Sequence, residues 1–131
     1  MKNIGLIGCG NISETYFKSQ KYFNNLTFVA CSDINEEAAK ICSSKYDIKL
    51  QSVDDLLNND DVDIILNLTN PASHYDIIKK TLNSNKHSYC EKPLSITYAQ
   101  GKELVQIAKE KKLYIGNAPD TFLGGGGQLS R

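Results

Sequence analysis

The 131-residue chain predicts an α/β protein built on a doubly wound parallel sheet. Three observations carry that prediction. Short apolar runs alternate with helix-like segments from the N-terminus to residue 119. Most of the apolar runs are continuous rather than alternating polar and apolar, as expected of strands covered on both faces. The first of them breaks into a turn holding two glycines, "GCGNIS" at 8–13, placed where a first strand hands over to a first helix. Six such strands in one sheet predict the order 3-2-1-4-5-6.

Each element has its own signal. "NIGLIG" is a short apolar strand, and "NISETYFKSQKYF" after it has helical character. "LTFVACSD" is a second strand ending on Asp33. "INEEAAKICSSKY" is an amphipathic helix expected to turn Ala38, Ala39 and Ile41 or Cys42 inward. "IKLQ" is a short third strand, and "SVDDLLNND" a small helix with Ser52 as N-cap and Asp55 three residues on. "VDIILNLTN" is the clearest buried strand, and Pro71 opens the next helix, where a missing N–H costs nothing. "KHSYCEKP" carries a fifth strand ending at Pro93. "SITYAQGKELVQIAKEKK" is a long helix with Ser95 as expected cap, and "LYIGNAP" a sixth strand.

Composition narrows the function classes. Hydrophobic residues make up 40% and charged residues 23%, an ordinary globular balance that argues against disorder. Basic and acidic residues both number 15, which gives no electrostatic reason to expect nucleic acid or an anionic membrane as partner. No apolar run approaches the ~20 residues needed to span a bilayer. The N-terminal apolar segment is interrupted by glycines and reads as a strand rather than a signal peptide, so the expected compartment is the cytoplasm. Cys9, Cys31, Cys42 and Cys90 lack metal-binding spacing and are expected as free thiols, with no metal site.

The turn "GCGNIS" has the chemistry of a phosphate loop. Gly8 permits a tight turn, Gly10 lets backbone approach a pyrophosphate, and the helix beginning near Asn11 offers unpaired N–H groups to an anion. A third glycine is replaced by Ser13, small enough for helix and strand to pack closely. Asp33 stands at the end of the second strand, where an acid accepts hydrogen bonds from adenosine ribose hydroxyls. That carboxylate would repel the 2′-phosphate of NADP, and no arginine stands beside it in "SDINEE", so NAD is the expected cofactor. Asp33 would otherwise serve only to cap the helix over 35–46. An S-adenosylmethionine-dependent methyltransferase could use a similar loop and acid.

"NLTNPASHY" (67–75) and "YCEKPLS" (89–95) follow predicted strands and so place polar groups at the carboxyl edge of the sheet, where open α/β sheets bind ligands. Lys92, a compact cation at a strand end, suits polarising or orienting a substrate hydroxyl. Together with "GLIGCGNIS", Asp33 and "NAPDTFLGGGGQ", in this order and spacing, these segments resemble the Gfo/Idh/MocA family, relatives of glucose–fructose oxidoreductase and inositol dehydrogenase. The resemblance spans essentially the whole chain, and "EKP" is its most specific part.

The resemblance implies a Rossmann domain over 1–119, with Gly8, Gly10, Asn11 and Ile12 on the pyrophosphate and Asp33 on the adenine ribose. It implies Thr69, Asn70, Pro71 and His74 along the dinucleotide, and Glu91 and Lys92 near the nicotinamide ribose, with Lys92 also reaching the substrate as the catalytic residue. His74 could equally cap or pack its helix, and His87 is expected to be structural. In the family, a stretch like "DTFLGGG" leads to a second α/β domain that supplies the substrate pocket, the acid/base histidine and often the oligomer contacts. Residues 120–131 are therefore expected to begin a linker to a substrate domain absent from this chain. The implied parent is an NAD-dependent dehydrogenase acting on a sugar, cyclitol or similar polyol; the chain alone is expected to bind NAD(H) without turnover. A non-enzymatic NAD(H)-sensing domain would need the loop and Asp33 but no "EKP".

Overall fold

The computed structural model describes residues 1–118. Six strands form one parallel sheet: β1 (Lys2–Ile7), β2 (Leu26–Ser32), β3 (Lys49–Leu50), β4 (Ile64–Asn67), β5 (His87–Glu91) and β6 (Ile115–Ala118). Their order is β3-β2-β1-β4-β5-β6, as the sequence predicts. The helices between them are α1 (Ser13–Ser19, continued by a 3-10 turn over Gln20–Tyr22), α2 (Glu36–Tyr46), α3 (Val53–Leu57), α4 (Pro71–Asn83) and α5 (Tyr98–Lys111). The expected linker at 120–131 lies outside the described residues.

The central strands are apolar runs because both faces are covered. Leu6 and Ile7 are consecutive in β1 yet belong to different core clusters, Leu6 with Phe17, Phe28 and Leu66, Ile7 with Leu56, Val62 and Ile65. A third cluster joins α4 and α5 to β5 through Ile78, Leu82, Leu104, Ala108 and Cys90. Burying one such leucine or isoleucine fully contributes about 1.5–3 kcal/mol relative to leaving it exposed. Phe17 stacks on Tyr46 with ring centroids 3.7 Å apart, which ties α1 to the end of α2.

Local chemistry sets the helix ends. Ser52 caps α3 by accepting the Asp55 N–H at 3.1 Å, and Asn70 caps α4 by accepting the Ser73 N–H at 3.2 Å, with Pro71 in the first turn. One expectation is corrected. Helix α5 is capped by Thr97, not Ser95: Thr97 and Gln100 form a reciprocal capping box, while the Ser95 hydroxyl donates to the Thr97 carbonyl. Starting the helix at Tyr98 instead of Ile96 moves the cap two residues downstream. In α2, Ala39 is buried as expected, and of Ile41 and Cys42 it is Cys42 that turns inward while Ile41 is 58% exposed. Positions 39 and 42 share a face three residues apart, and Ile41 falls off it.

Candidate dinucleotide-binding site

The carboxyl ends of β1, β2 and β4 border a cavity of about 1010 Å³, lined among others by Gly8, Gly10, Asp33, Thr69, Asn70 and Ser73. Gly8 is there because nothing else fits. Its φ of 102° is a conformation side chains rarely adopt, and a Cβ would lie 2.6 Å from the carbonyl carbon of Leu68. Gly10 is different. Among the described residues other than its chain neighbours, an added Cβ would meet no atom within 4 Å, so no packing there requires its lack of a side chain. The Gly8 N–H donates to the Ser32 carbonyl at 2.9 Å, which pins the start of the loop to the end of β2.

Asp33 is built into that loop. One carboxylate oxygen accepts the Cys9 N–H at 2.6 Å and the other the Asn35 N–H at 2.7 Å. Asn35, not Asp33, caps α2, its side chain accepting the N–H groups of Glu37 and Ala38. The simple capping role is thereby filled by another residue. A carboxylate has about four lone-pair sites, and two backbone donors leave it room for ligand hydroxyls. Lys40 also lines the cavity, 3.6 Å from the Glu36 carboxylate. Sequence spacing did not point to it; the one-turn offset from Glu36 is the signal that could have.

The second group of expected residues lies along β4 and β5. The fully buried Asn67 side chain accepts both the Thr69 N–H (3.1 Å) and the Thr69 hydroxyl (2.7 Å), fixing the turn into α4. Asn67 opens the "NLTNPASHY" segment without a role of its own in the sequence reading, although a polar residue inside the apolar run "VDIILNLTN" is a visible irregularity. His74 is fully buried, with Nδ1 2.6 Å from the Pro93 carbonyl oxygen and Nε2 2.9 Å from that of Thr69. The ring therefore sits between the β4–α4 turn and the turn after β5, inside the protein rather than on the cavity wall. Glu91 accepts the Tyr16 hydroxyl at 2.6 Å, joining the end of β5 to α1. Lys92 precedes a cis peptide bond to Pro93 and is exposed; among the described residues its ammonium has no hydrogen-bond partner. Asn11, Ile12 and Pro71 are exposed near the loop and the α4 N-terminus, outside the cavity lining. His87 accepts the Tyr114 N–H at 3.1 Å and packs on its ring, at the opposite, amino end of β5.

A glycine loop that leaves open space, an acid stitched to it and polar groups along one sheet edge are the parts of a dinucleotide site. The family profile described as "Oxidoreductase family, NAD-binding Rossmann fold" matches residues 2–118. The chain belongs to the Gfo/Idh/MocA oxidoreductase family. Its described part is the NAD(P)-binding Rossmann domain of that family. Among curated relatives, inositol 2-dehydrogenase of Salmonella typhimurium is 28% identical over 110 residues, covering 81% of this chain and 33% of that protein. Myo-inositol 2-dehydrogenase of Thermotoga maritima is 26% identical over 114 residues, covering 86% and 34%. The structure of biliverdin reductase from Synechocystis with biliverdin and NADP+ superposes with a TM-score of 0.90 at 27% identity, over 96% of this chain and 40% of that one. The chain thus spans about a third of the length of the curated dehydrogenases it matches.

Proposed function

We propose that the chain is the cofactor-holding part of an NAD-dependent oxidoreductase acting on a hydroxyl-bearing carbon of a sugar, cyclitol or similar polyol. The observation that carries the reading is Asp33 beside the Gly8–Gly10 loop, on a cavity into which the missing side chain of Gly10 leaves open space. The residues fit a dinucleotide: Gly10 admits a phosphate close to backbone, and Asp33 accepts from ribose hydroxyls. Asp33 disfavours a 2′-phosphate, and Lys40, the cation on the same wall, is held by Glu36. The length of the relatives supports a separate substrate-facing part, from which the general base would come. The inositol substrates in the relatives' names support the polyol class.

When bound, nicotinamide supplies the hydride donor or acceptor at its C4. The chain's own residues bind and orient. Glu91, anchored by Tyr16, fixes the end of β5, and the Lys92 that follows presents an ammonium that would hydrogen-bond and polarise the substrate oxygen. Asn67 and Asn70 hold the β4 turn so that Thr69 faces the cavity. His74 positions both turns from within, through the Thr69 and Pro93 carbonyls.

A second reading, preference for NADP, is favoured by Lys40 on the cavity wall and by the NADP+ complex of the Synechocystis relative. Titration with NADH and NADPH, followed by melting temperature, separates the two. At about a hundred times Kd a ligand stabilises by about 2.7 kcal/mol. A larger shift with NADH than with NADPH, lost in Asp33→Ala, is expected. A larger shift with NADPH that falls in Lys40→Ala would overturn the role given to Asp33. No shift with either would sink the dinucleotide reading for this chain.

A further inference from the structure

Three of the four cysteines, separated by 22 and 11 residues in sequence, meet in space. Cys9 comes from the glycine loop, Cys31 from β2 and Cys42 from α2, and their sulfur atoms all lie within 4.8 Å of one another. Three points no farther apart than that share a centre at most about 2.8 Å from each (4.8 divided by √3). A thiolate–metal bond is about 2.3 Å long, so a shift of about half an ångström per sulfur closes the trio on one ion.

We propose that Cys9, Cys31 and Cys42 form a three-sulfur site for a monovalent thiophilic ion of the Cu(I) class. The ligand set selects the ion. Three sulfurs with no nitrogen or carboxylate in the cluster are soft donors, which favour Cu(I) over hard cations. Zinc takes four ligands, and when the protein supplies three the fourth is water in an open position. Cys31 is fully buried and Cys42 is 4% exposed, both in the same core cluster as Phe17, Phe28 and Leu66, so a fourth, water ligand could enter only from the Cys9 side, and three-coordinate Cu(I) needs none. Cys9 is only half-buried and provides the entry.

The site lies outside the cavity lining, but Cys9 stands between Gly8 and Gly10 and donates its N–H to Asp33. An ion held there would be covalently continuous with the phosphate loop.

The test is an anaerobic titration of the reduced 131-residue chain with Cu(I) against a chromophoric Cu(I) chelator. Retention of one equivalent is expected, unchanged in Cys90→Ser and reduced at least tenfold in Cys9→Ala and in Cys42→Ala. Far-UV circular dichroism confirms that each variant is folded; if one is not, the other carries the comparison. X-ray absorption of the one-equivalent complex should read three sulfur neighbours. Failure to retain copper, equal retention by folded Cys9→Ala or Cys42→Ala, or loss in Cys90→Ser would overturn the site. Two sulfurs in the absorption spectrum would overturn the three-sulfur geometry, as would tighter zinc binding by the same trio.

Discussion

Gly8 and Gly10 belong to one turn, yet the structure assigns them opposite sensitivities to the same substitution. Gly8→Ala puts a Cβ on a residue at φ 102°, 2.6 Å from one backbone atom of Leu68 and 2.7 Å from another. A left-handed conformation costs a non-glycine residue about 1–2 kcal/mol, and forcing an extra carbon into packed surroundings about 1–3 kcal/mol. Because the neighbours are backbone, no rotamer change relieves the contact. The expected loss is therefore about 2–5 kcal/mol, a large part of the ~5–15 kcal/mol that holds a domain together. The Gly10→Ala methyl meets no atom of the described residues within 4 Å apart from its chain neighbours, and stability should stay within about 0.5 kcal/mol of the parent. That methyl would instead occupy the space a pyrophosphate needs, weakening NADH at least tenfold, equivalent to about 1.4 kcal/mol. Urea unfolding reads the first effect as a lower midpoint at constant slope, and the NADH-dependent melting shift reads the second. Unchanged NADH affinity in Gly10→Ala, or a large stability loss there, would refute the assignment of that space to the ligand.

Other outcomes follow from the same structure. His74→Ala empties a fully buried site and removes the ring nitrogens that stand 2.6 and 2.9 Å from the Pro93 and Thr69 carbonyl oxygens, so it should lower stability by about 2–5 kcal/mol; a urea midpoint shift worth less than about 0.5 kcal/mol would show that the ring holds neither turn. In any form of the protein that turns substrate over, Lys92→Met should lower kcat at saturating NADH by more than it lowers the NADH melting shift, since the exposed ammonium has no partner among the described residues and is free to act on the substrate oxygen; a smaller melting shift with kcat unchanged at saturating NADH would place Lys92 in cofactor binding alone. The Asp63 carboxyl is held below its usual range first by the Asn3 N–H at 2.8 Å and then by Lys2 at 2.6 Å. Its folded pKa is depressed, so its contribution is present above the unfolded value near 3.8 and is lost as pH falls through the folded one. Asp63→Asn should flatten stability against pH in that acid window and leave the slope near neutrality unchanged.

The architecture was readable from the chain because it rests on local signals. Continuous apolar runs, Pro71 after "NLTN" and the glycine pair after β1 each report on a few consecutive residues, and together they determine six parallel strands in the observed order. Asp33 and the "EKP" segment were equally legible, since their positions at strand ends follow from the strands themselves. Helix ends were less so. Ser95 and Thr97 are both competent caps two residues apart, and only the side-chain reach between Thr97 and Gln100 decides which one starts α5.

What the tertiary structure alone decided are contacts between residues far apart in sequence. His74 in the first turn of α4 reads from sequence as a cofactor neighbour or a packing residue; its two carbonyl partners, 5 and 19 residues away, put it inside, under two turns at once. Asp33 joins the glycine loop across 24 residues, and Glu91 joins Tyr16 across 75. The cysteines show the same limit most clearly. Spacing along the chain does not show that Cys9, Cys31 and Cys42 meet, because the three sulfurs come from a loop, a strand and a helix that only the β1–α1–β2–α2 winding brings together. Periodicity and turn chemistry act within a few residues, so the sequence determines the elements and their order. Side-chain contacts between elements depend on how those elements pack, and that is written only in three dimensions.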